Sequence, residues 1–210
     1  MRLLLIRHGE STSNADGRVQ GRLDSPLSAR GRRESERLAE RLGEFAVDAL
    51  YSSTLSRARD TAGTVSGRLG LPIVERSALM ERDVGELEGL TYEEIRARYP
   101  EFVRAREEGR KEIAVVGWEP REDFAGRVRS ALEELIESHP GQTVAVVSHG
   151  GVIGQFCRFV LGLPPERPWP FALANASISA VEVQDGDSER DGRPRLQIVT
   201  LNDTCHLNGL

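Results

Sequence analysis

Leu3-Leu4-Leu5-Ile6-Arg7-His8-Gly9-Glu10 is the stretch that decides how the chain folds. Four consecutive apolar residues bounded by charge have the pattern of a short buried strand, and an arginine, a histidine and a glycine follow it directly. In open parallel α/β sheets, ligands bind beyond the carboxyl ends of the strands, where loops converge. The same grammar returns at Thr143-Val144-Ala145-Val146-Val147, which runs into Ser148-His149-Gly150-Gly151. Two strands therefore end in His-Gly.

Outward from the first strand, Ser11 to Pro26 is polar and glycine-rich and reads as a loop with at most one helical turn after His8. Ser28 then suits an N-cap, Ser35, Leu38, Ala39 and Leu42 form one helical stripe, and Gly43 can close it. Ala49-Leu50-Tyr51 reads as a second short strand bringing Ser52-Ser53-Thr54 to the edge that holds His8. Ala58, Thr61, Ala62, Val65 and Leu69 repeat at helical spacing up to Gly70. Arg57 and Arg59 lie in the first turns of that helix. Residues two apart do not share a helix face, so at most one of these arginines points into the strand-end cleft.

Pro72-Ile73-Val74 is a brief extended segment. From about 84 to 122 the chain is highly charged, with little hydrophobic periodicity and two short helices separated by Pro100, the first opened by the capping box Thr91-Tyr92-Glu93-Glu94. This segment reads as a helical lid insertion over the cleft. Phe124, Val128, Ala131, Leu132, Leu135 and Ile136 share one face of a helix ending near His139-Pro140-Gly141, and another helix runs from Val152 to Leu161. Pro164, Pro165, Pro168 and Pro170 then impose a rigid connection. Ser177 to Val183 and Arg195 to Leu201 look like strands of a hairpin, with turn residues from Asp185-Gly186-Asp187 through Asp191-Gly192. The βα alternation implies a single α/β domain over 1–210: a three-layer α/β/α sandwich around a mostly parallel sheet.

A chain of 210 residues is long enough for one such domain and short for two. No apolar run approaches the roughly 20 residues a membrane helix needs, and residues 1 to 6 lack a signal-peptide core, so a cytoplasmic location without membrane contact is expected. The net charge of −5 argues against a general nucleic-acid partner yet leaves room for a local basic pocket. Cys157 and Cys205 lack metal-ligand spacing and read as buried thiols, and no His, Asp or Glu set has metal spacing either. The apolar segment Pro164 to Phe171 permits a homodimer contact.

Arg7-His8-Gly9-Glu10-Ser11, Asn14, Gly21, Asp24 with Leu27 to Gly31, Ser52 to Ala62, Glu81 with Gly85 and Glu88-Gly89, and Ser148-His149-Gly150-Gly151 resemble the histidine phosphatase superfamily. The match follows that family's order over nearly the whole chain. The family comprises cofactor-dependent phosphoglycerate mutases and their phosphatase relatives. The resemblance implies His8 as nucleophile, Arg7 and Arg57 as a phosphate clamp, His149 as a second catalytic histidine opposite His8, and Glu81 as the acid/base. Arg57 rather than Arg59 is carried over because Ser53-Thr54-Leu55-Ser56-Arg57-Ala58 aligns with Ser-Pro-Leu-x-Arg-Ala, with Thr54 in place of the usual proline.

Physical chemistry suits these roles. A neutral imidazole attacks phosphorus through one nitrogen while the other fixes the ring, and arginine forks stabilise charge spread over the equatorial oxygens. Asn14 and the amide of Gly150 are candidate neutral donors to the phosphate. Glu86 and Glu88 are rivals to Glu81, with Glu88 better suited to a structural Glu-Gly turn. Glu122 falls where relatives often have Gly-Glu-Ser; here Arg121-Glu122-Asp123 suits a helix start as well as a substrate contact. His206, in a C-terminal pattern resembling bacterial phosphatase relatives, suits packing or support, and His139 reads as a solvated helix end.

The expected activity is hydrolysis of a small phosphorylated metabolite through a phosphohistidine, with neither cofactor nor metal. A 2,3-bisphosphoglycerate-dependent phosphoglycerate mutase, which needs that bisphosphate as primer, is the alternative. Mutases typically carry Glu-Arg-His-Tyr-Gly and a longer insertion, whereas Glu81-Arg82-Asp83-Val84-Gly85 and a compact segment stand here. A noncatalytic phosphoanion-binding module would not need both His8 and Glu81. The lid residues Arg104, Arg106, Arg110, Lys111 and Trp118 could recognise a phosphorylated sugar, glycerate or nucleotide, although a solvated charged face explains most of them better; sugar phosphates, phosphoglycerates and alpha-ribazole phosphate all stay open as substrates.

Overall fold

A computed structural model of the chain describes residues 1–108, 113, 115–164, 171–184 and 195–210. Six strands, β1 Arg2–Arg7, β2 Ala49–Ser53, β3 Ile73–Arg76, β4 Thr143–Ser148, β5 Ile178–Gln184 and β6 Arg195–Asp203, form one sheet in the order β3-β2-β4-β1-β5-β6. β1 to β4 pair in parallel, while β5 is antiparallel to both β1 and β6. One strand thus runs against the other five. Arg110, Lys111, Pro165, Pro168, Pro170 and the expected hairpin turn at 185–192 lie outside the described residues, as does most of the segment considered for dimer contact.

β1 shows no polar alternation because both its faces are covered. Leu3 and Leu5, with Val144 and Val146 of β4, pack against α6 Arg121–Ser138 and α7 Gly150–Val160. Leu4 and Ile6, with Ala145 and Val147, pack against α2 Ala29–Leu42 and α3 Ser56–Leu69. Each fully buried aliphatic side chain contributes roughly 1.5–3 kcal/mol, so the strand that carries His8 is among the most firmly held parts of the molecule. The helix ends follow their signals: Ser28 Oγ accepts from the Gly31 amide at 2.9 Å, and Gly70 closes α3 at φ 71°.

The insertion holds α4 Tyr92–Arg98 and α5 Pro100–Glu107. Its weak periodicity has a physical reason: Leu87, Ile95, Phe102 and Val103 come one or two from each short piece and make a small separate core. Trp118 closes that core edge-on to Phe102, with ring centroids 5.3 Å apart. The loop after β1 is stitched to the insertion by Val19 N–H donating to Leu90 O at 2.9 Å and Gly89 N–H to Val19 O at 2.8 Å.

Two expectations need correction. Cys157 is buried, which pushes its thiol up to about 12, but Cys205 is exposed, because it opens a single 3-10 turn on the surface after β6. His139 is half-buried rather than solvated: Nε2 lies 2.8 Å from Tyr51 Oη and Nδ1 2.6 Å from Gln142 Oε1. No helix among the described residues is long and apolar enough to cross a membrane.

Candidate active site

The end of β1 is held from three directions. The His8 amide donates to Ser148 O at 2.9 Å, carrying the β1–β4 pairing one residue further. The His8 carbonyl accepts from the Ala176 amide and from Asn175 Nδ2, both at 3.1 Å. The Gly9 amide donates to Thr61 Oγ1 at 3.0 Å, and a Cβ at Gly9 would stand 2.5 Å from Gly31 O. Only glycine lets the chain pass α2 so closely, which is why the histidine is followed by one.

His8 is 3% exposed. Arg57 Nε donates to His8 Nε2 at 3.2 Å, and a guanidinium can only donate, so Nε2 holds the lone pair. Nδ1 therefore carries the proton and donates to Gly9 O at 2.7 Å. Burial, reinforced by the nearby charges of Arg57 and Arg7, holds His8 well below the usual histidine range. A neutral ring with its lone pair on Nε2 is the form a phosphoryl acceptor needs.

Arg57 is buried, and backbone oxygens fix its fork: Nη1 donates to Leu23 O at 2.9 Å and Nη2 to Gly21 O at 2.7 Å. Arg59, by contrast, faces solvent and pairs with Glu75 at 3.7 Å. Arg7 Nη1 donates to Leu173 O, while its buried Nε has no hydrogen-bond partner among the described residues. Burial lowers the pKa of both Arg7 and Arg57, and Glu81 opposes that shift in each.

Glu81 reaches the same place from the segment after β3. Its Oε2 accepts from the Gly151 amide at 2.9 Å and Oε1 from the Arg82 amide at 2.8 Å. The backbone that carries it is gripped by Arg127, whose guanidinium donates to Ala78 O, Met80 O and Glu81 O at 2.9, 2.8 and 3.2 Å. The same guanidinium forms a two-point bond to Glu119, 2.8 Å at each oxygen. The rivals are committed elsewhere: Glu86 accepts from Tyr99 Oη at 3.0 Å, and Glu88 Oε1 from the Arg22 amide at 2.6 Å.

Arg7, His8, Asn14, Arg57, Glu81 and Gly150 all line one cleft of about 1370 Å³. Asn14 closes the capping box of α1 Thr12–Ala15, and its Oδ1 accepts from the Ser11 amide and Asn175 Nδ2, each at 3.2 Å. Capping and cleft lining are thus one arrangement, since pinning the oxygen leaves the NH2 as the group to offer a ligand. Glu122 likewise sits in the first turn of α6 and on the cleft wall.

His149 is placed differently from its neighbours. At 1% exposure it lies behind the cleft lining, its ring centroid 5.1 Å from that of His8, with Nε2 2.8 Å from Ser53 Oγ. Nδ1 is buried without a partner among the described residues. Burial, and then the nearby His8 and Arg57, hold its pKa well below the usual range, which disfavours a cationic His149. His206 acts from one layer further out, with Nε2 3.0 Å from the carbonyl of Ala176, whose amide supports His8.

Two buried, neutral histidines make stability depend on pH. Their folded pKa values are depressed, so below about pH 6.5 the unfolded chain binds protons that the native state refuses. Stability is therefore full above about pH 6.5 and falls below it, by about 1.4 kcal/mol per pH unit for each such proton. Urea melts from pH 8 to 5 should show this fall, with a shallower slope in His149→Ala; an identical slope would remove His149 from the explanation.

Arg127, Glu119 and Asn175 are residues that sequence reading missed, while Gly151 and Ser53 were placed at the strand-end edge without a role. Gly151 did carry a signal, as the second glycine after His149. A Cβ there would lie 2.1 Å from Glu81 Oε1, so Gly151→Ala must displace either the carboxylate or the start of α7. Displacement near 1 Å can lower a rate about 100-fold, and kcat of Gly151→Ala is expected to fall by roughly that factor with thermal stability little changed. Unaltered kcat would show that Glu81 need not sit where it does.

Residues 3–191 match the model of the histidine phosphatase superfamily, branch 1. The chain is 34% identical to phosphoserine phosphatase 1 of Hydrogenobacter thermophilus over 99% of this chain and 94% of that one. It is 30% identical to a probable phosphoglycerate mutase of Salmonella paratyphi A, over 99% and 95%. Among solved structures, a mycobacterial glucosyl-3-phosphoglycerate phosphatase superposes with a TM-score of 0.82 at 33% identity, covering 96% of this chain and 98% of that one. By sequence and fold, the chain belongs to the histidine phosphatase superfamily.

Proposed function

We propose that the protein is a phosphomonoesterase that passes the phosphoryl group of a small phosphorylated metabolite through His8 to water. The observation that carries this reading is the His8 tautomer: a lone pair on Nε2, pointed at Arg57, in a cleft shared with Arg7 and Glu81. Nε2 attacks phosphorus as the ester P–O bond breaks. Arg7, Arg57 and the Gly150 amide hold the equatorial oxygens, Asn14 adds its NH2, and the orphaned Nδ1 of His149 offers a further neutral contact from beneath.

Glu81, as the acid, gives its proton to the departing alkoxide. The phosphoimidazole then carries a positive charge, which the Nδ1–H···O=C bond to Gly9 stabilises. In the second step the Glu81 carboxylate takes a proton from water, the water oxygen bonds to phosphorus, and the P–N bond breaks. Phosphate leaves, and His8 and Glu81 regain their starting protonation.

Relatives bear both phosphatase and mutase names, so the acceptor has to be argued locally. Where the family's mutases typically carry His-Tyr, Asp83 and Val84 stand, and Asp83 Oδ1 accepts from the Gly85 amide at 2.9 Å at the start of a 3-10 turn. This favours water as acceptor. The test is a phosphate-release screen without added metal over phosphoserine, phosphoglycerates, sugar phosphates and alpha-ribazole phosphate. It is paired with conversion of 3-phosphoglycerate to 2-phosphoglycerate, with and without the bisphosphate primer. Primer-independent phosphate release is expected; strong isomerisation with little release would overturn the hydrolytic reading.

A further inference from the structure

We propose that Glu34 is a positioning residue that raises the reactivity of His8 through the Gly9-Glu10 peptide bond: its carboxylate draws on the Glu10 amide proton, and the carbonyl of the same peptide holds the His8 Nδ1 proton. The proposal rests on His8 being the nucleophile. Glu34 Oε2 accepts from the Glu10 amide at 2.8 Å, and Gly9 O accepts from His8 Nδ1 at 2.7 Å. These are the two ends of one planar trans unit, whose resonance couples the N–H to the C=O. An anion at the amide proton increases the negative charge on the carbonyl oxygen, and successive hydrogen bonds strengthen one another in a buried, low-dielectric setting. No proton crosses the peptide.

Glu34 is 3% exposed, and among the described residues no other Asp or Glu is buried to that depth. Glutamate almost never is unless paired. Its second oxygen does accept from Arg30 Nε at 2.9 Å, but that arginine is exposed, where an ion pair contributes little. The fold does not need the charge either, because α2 already holds the strand end. The Ser28 amide donates to Glu10 O at 2.8 Å and Ser28 Oγ to Glu10 Oε1 at 2.7 Å, and Gly31 lies so close that a Cβ there would stand 1.9 Å from Glu10 O. A glutamine would accept the same amide proton through its side-chain oxygen. What the carboxylate adds is charge.

That charge has a use at His8. Burial, Arg57 and Arg7 all lower the His8 pKa, which keeps Nε2 unprotonated at the expense of its basicity, and the bond to Gly9 works the other way. Forming the P–N bond turns the ring into a cation that still carries its proton on Nδ1, and a more negative Gly9 carbonyl stabilises that cation. The same stabilisation makes the ring a poorer leaving group when water attacks phosphorus. The two half-reactions therefore respond to Glu34 in opposite directions. A residue that only held the fold would slow both when lost.

The test is rapid-quench kinetics with p-nitrophenyl phosphate, in which nitrophenolate release times the phosphorylation of the enzyme and loss of label from the isolated phosphoenzyme times its discharge by water. In Glu34→Gln the ratio of phosphorylation rate to discharge rate should fall by roughly 3- to 10-fold, the scale on which a charge-assisted bond exceeds a neutral one, with discharge no slower than native. The Nδ1 proton resonance of His8, assigned by its loss in His8→Ala, should move upfield as its hydrogen bond weakens. Arg30→Gln frees the carboxylate from its partner and should shift both the ratio and the resonance the opposite way. Because Arg30 is exposed, that variant tests the relay even if Glu34→Gln misfolds. Equal slowing of both steps in Glu34→Gln, or an unchanged ratio and resonance in Arg30→Gln, would overturn the proposal. A phosphoenzyme labelled on a residue other than His8 would instead overturn the reading of the nucleophile.

Discussion

His8→Ala is expected to release phosphate at least about 10⁴-fold more slowly than the native protein while still binding inorganic phosphate. His8 is the histidine of the described cleft lining, with its lone pair on Nε2 and Nδ1 fixed by Gly9 O, whereas both Glu81 oxygens accept amide protons and His149 lies behind the lining with Nε2 on Ser53. Removing the ring takes away the acceptor of Arg57 Nε, an unpaired buried donor worth about 1–3 kcal/mol, which a domain of this size can sustain. Arg7 and Arg57 remain to hold the anion. Steady-state phosphate release with calorimetric phosphate titration measures both quantities. Turnover within tenfold of native would remove His8 as nucleophile, and loss of phosphate binding would show that the arginines cannot form the clamp alone.

Arg57→Lys should be nearly as damaging, with kcat down by roughly 10³-fold, although the charge is kept. The native fork makes three directional bonds, to His8 Nε2, Leu23 O and Gly21 O. A lysine ammonium cannot reproduce a planar fork, and it leaves at least one buried carbonyl without its donor, costing about 1–3 kcal/mol of stability. The expected signature is a large loss of kcat beside a modest fall in melting temperature. Equal losses in Arg59→Lys, whose side chain faces solvent, would show that the effect is not specific to the clamp.

Much of this was readable from the chain because it depends on local rules. The two-sided burial of Leu3 to Ile6 needs four adjacent apolar residues, the limits of α2 need Ser28 and Gly43, and the separation of Arg57 from Arg59 needs only helix geometry. What escaped depends on chain segments that meet only in the folded state. The carbonyls of Gly21, Leu23 and Leu173 that fix Arg57 and Arg7 carry no side-chain signature. Arg127 and Glu119 look like surface charges in sequence, since nothing local says that α6 turns one of them toward Ala78, Met80 and Glu81.

The placement of His149 was half legible. A histidine at the end of a buried strand belongs at the ligand edge, but its depth is decided by Ser53, which β2 brings within 2.8 Å. The lid core was invisible for a different reason. Leu87, Ile95, Phe102 and Val103 each belong to an element too short to show a period.

The most direct measurement is rapid acid-free quenching of the enzyme during turnover, followed by peptide mapping under alkaline conditions that preserve a phosphorus–nitrogen bond. A phosphate adduct on the peptide containing His8 is expected, formed before product, lost on acid treatment, discharged by water at the turnover rate and missing from His8→Ala. An adduct on any other residue, or full turnover with no adduct at any time point, would contradict a phosphohistidine at the end of β1.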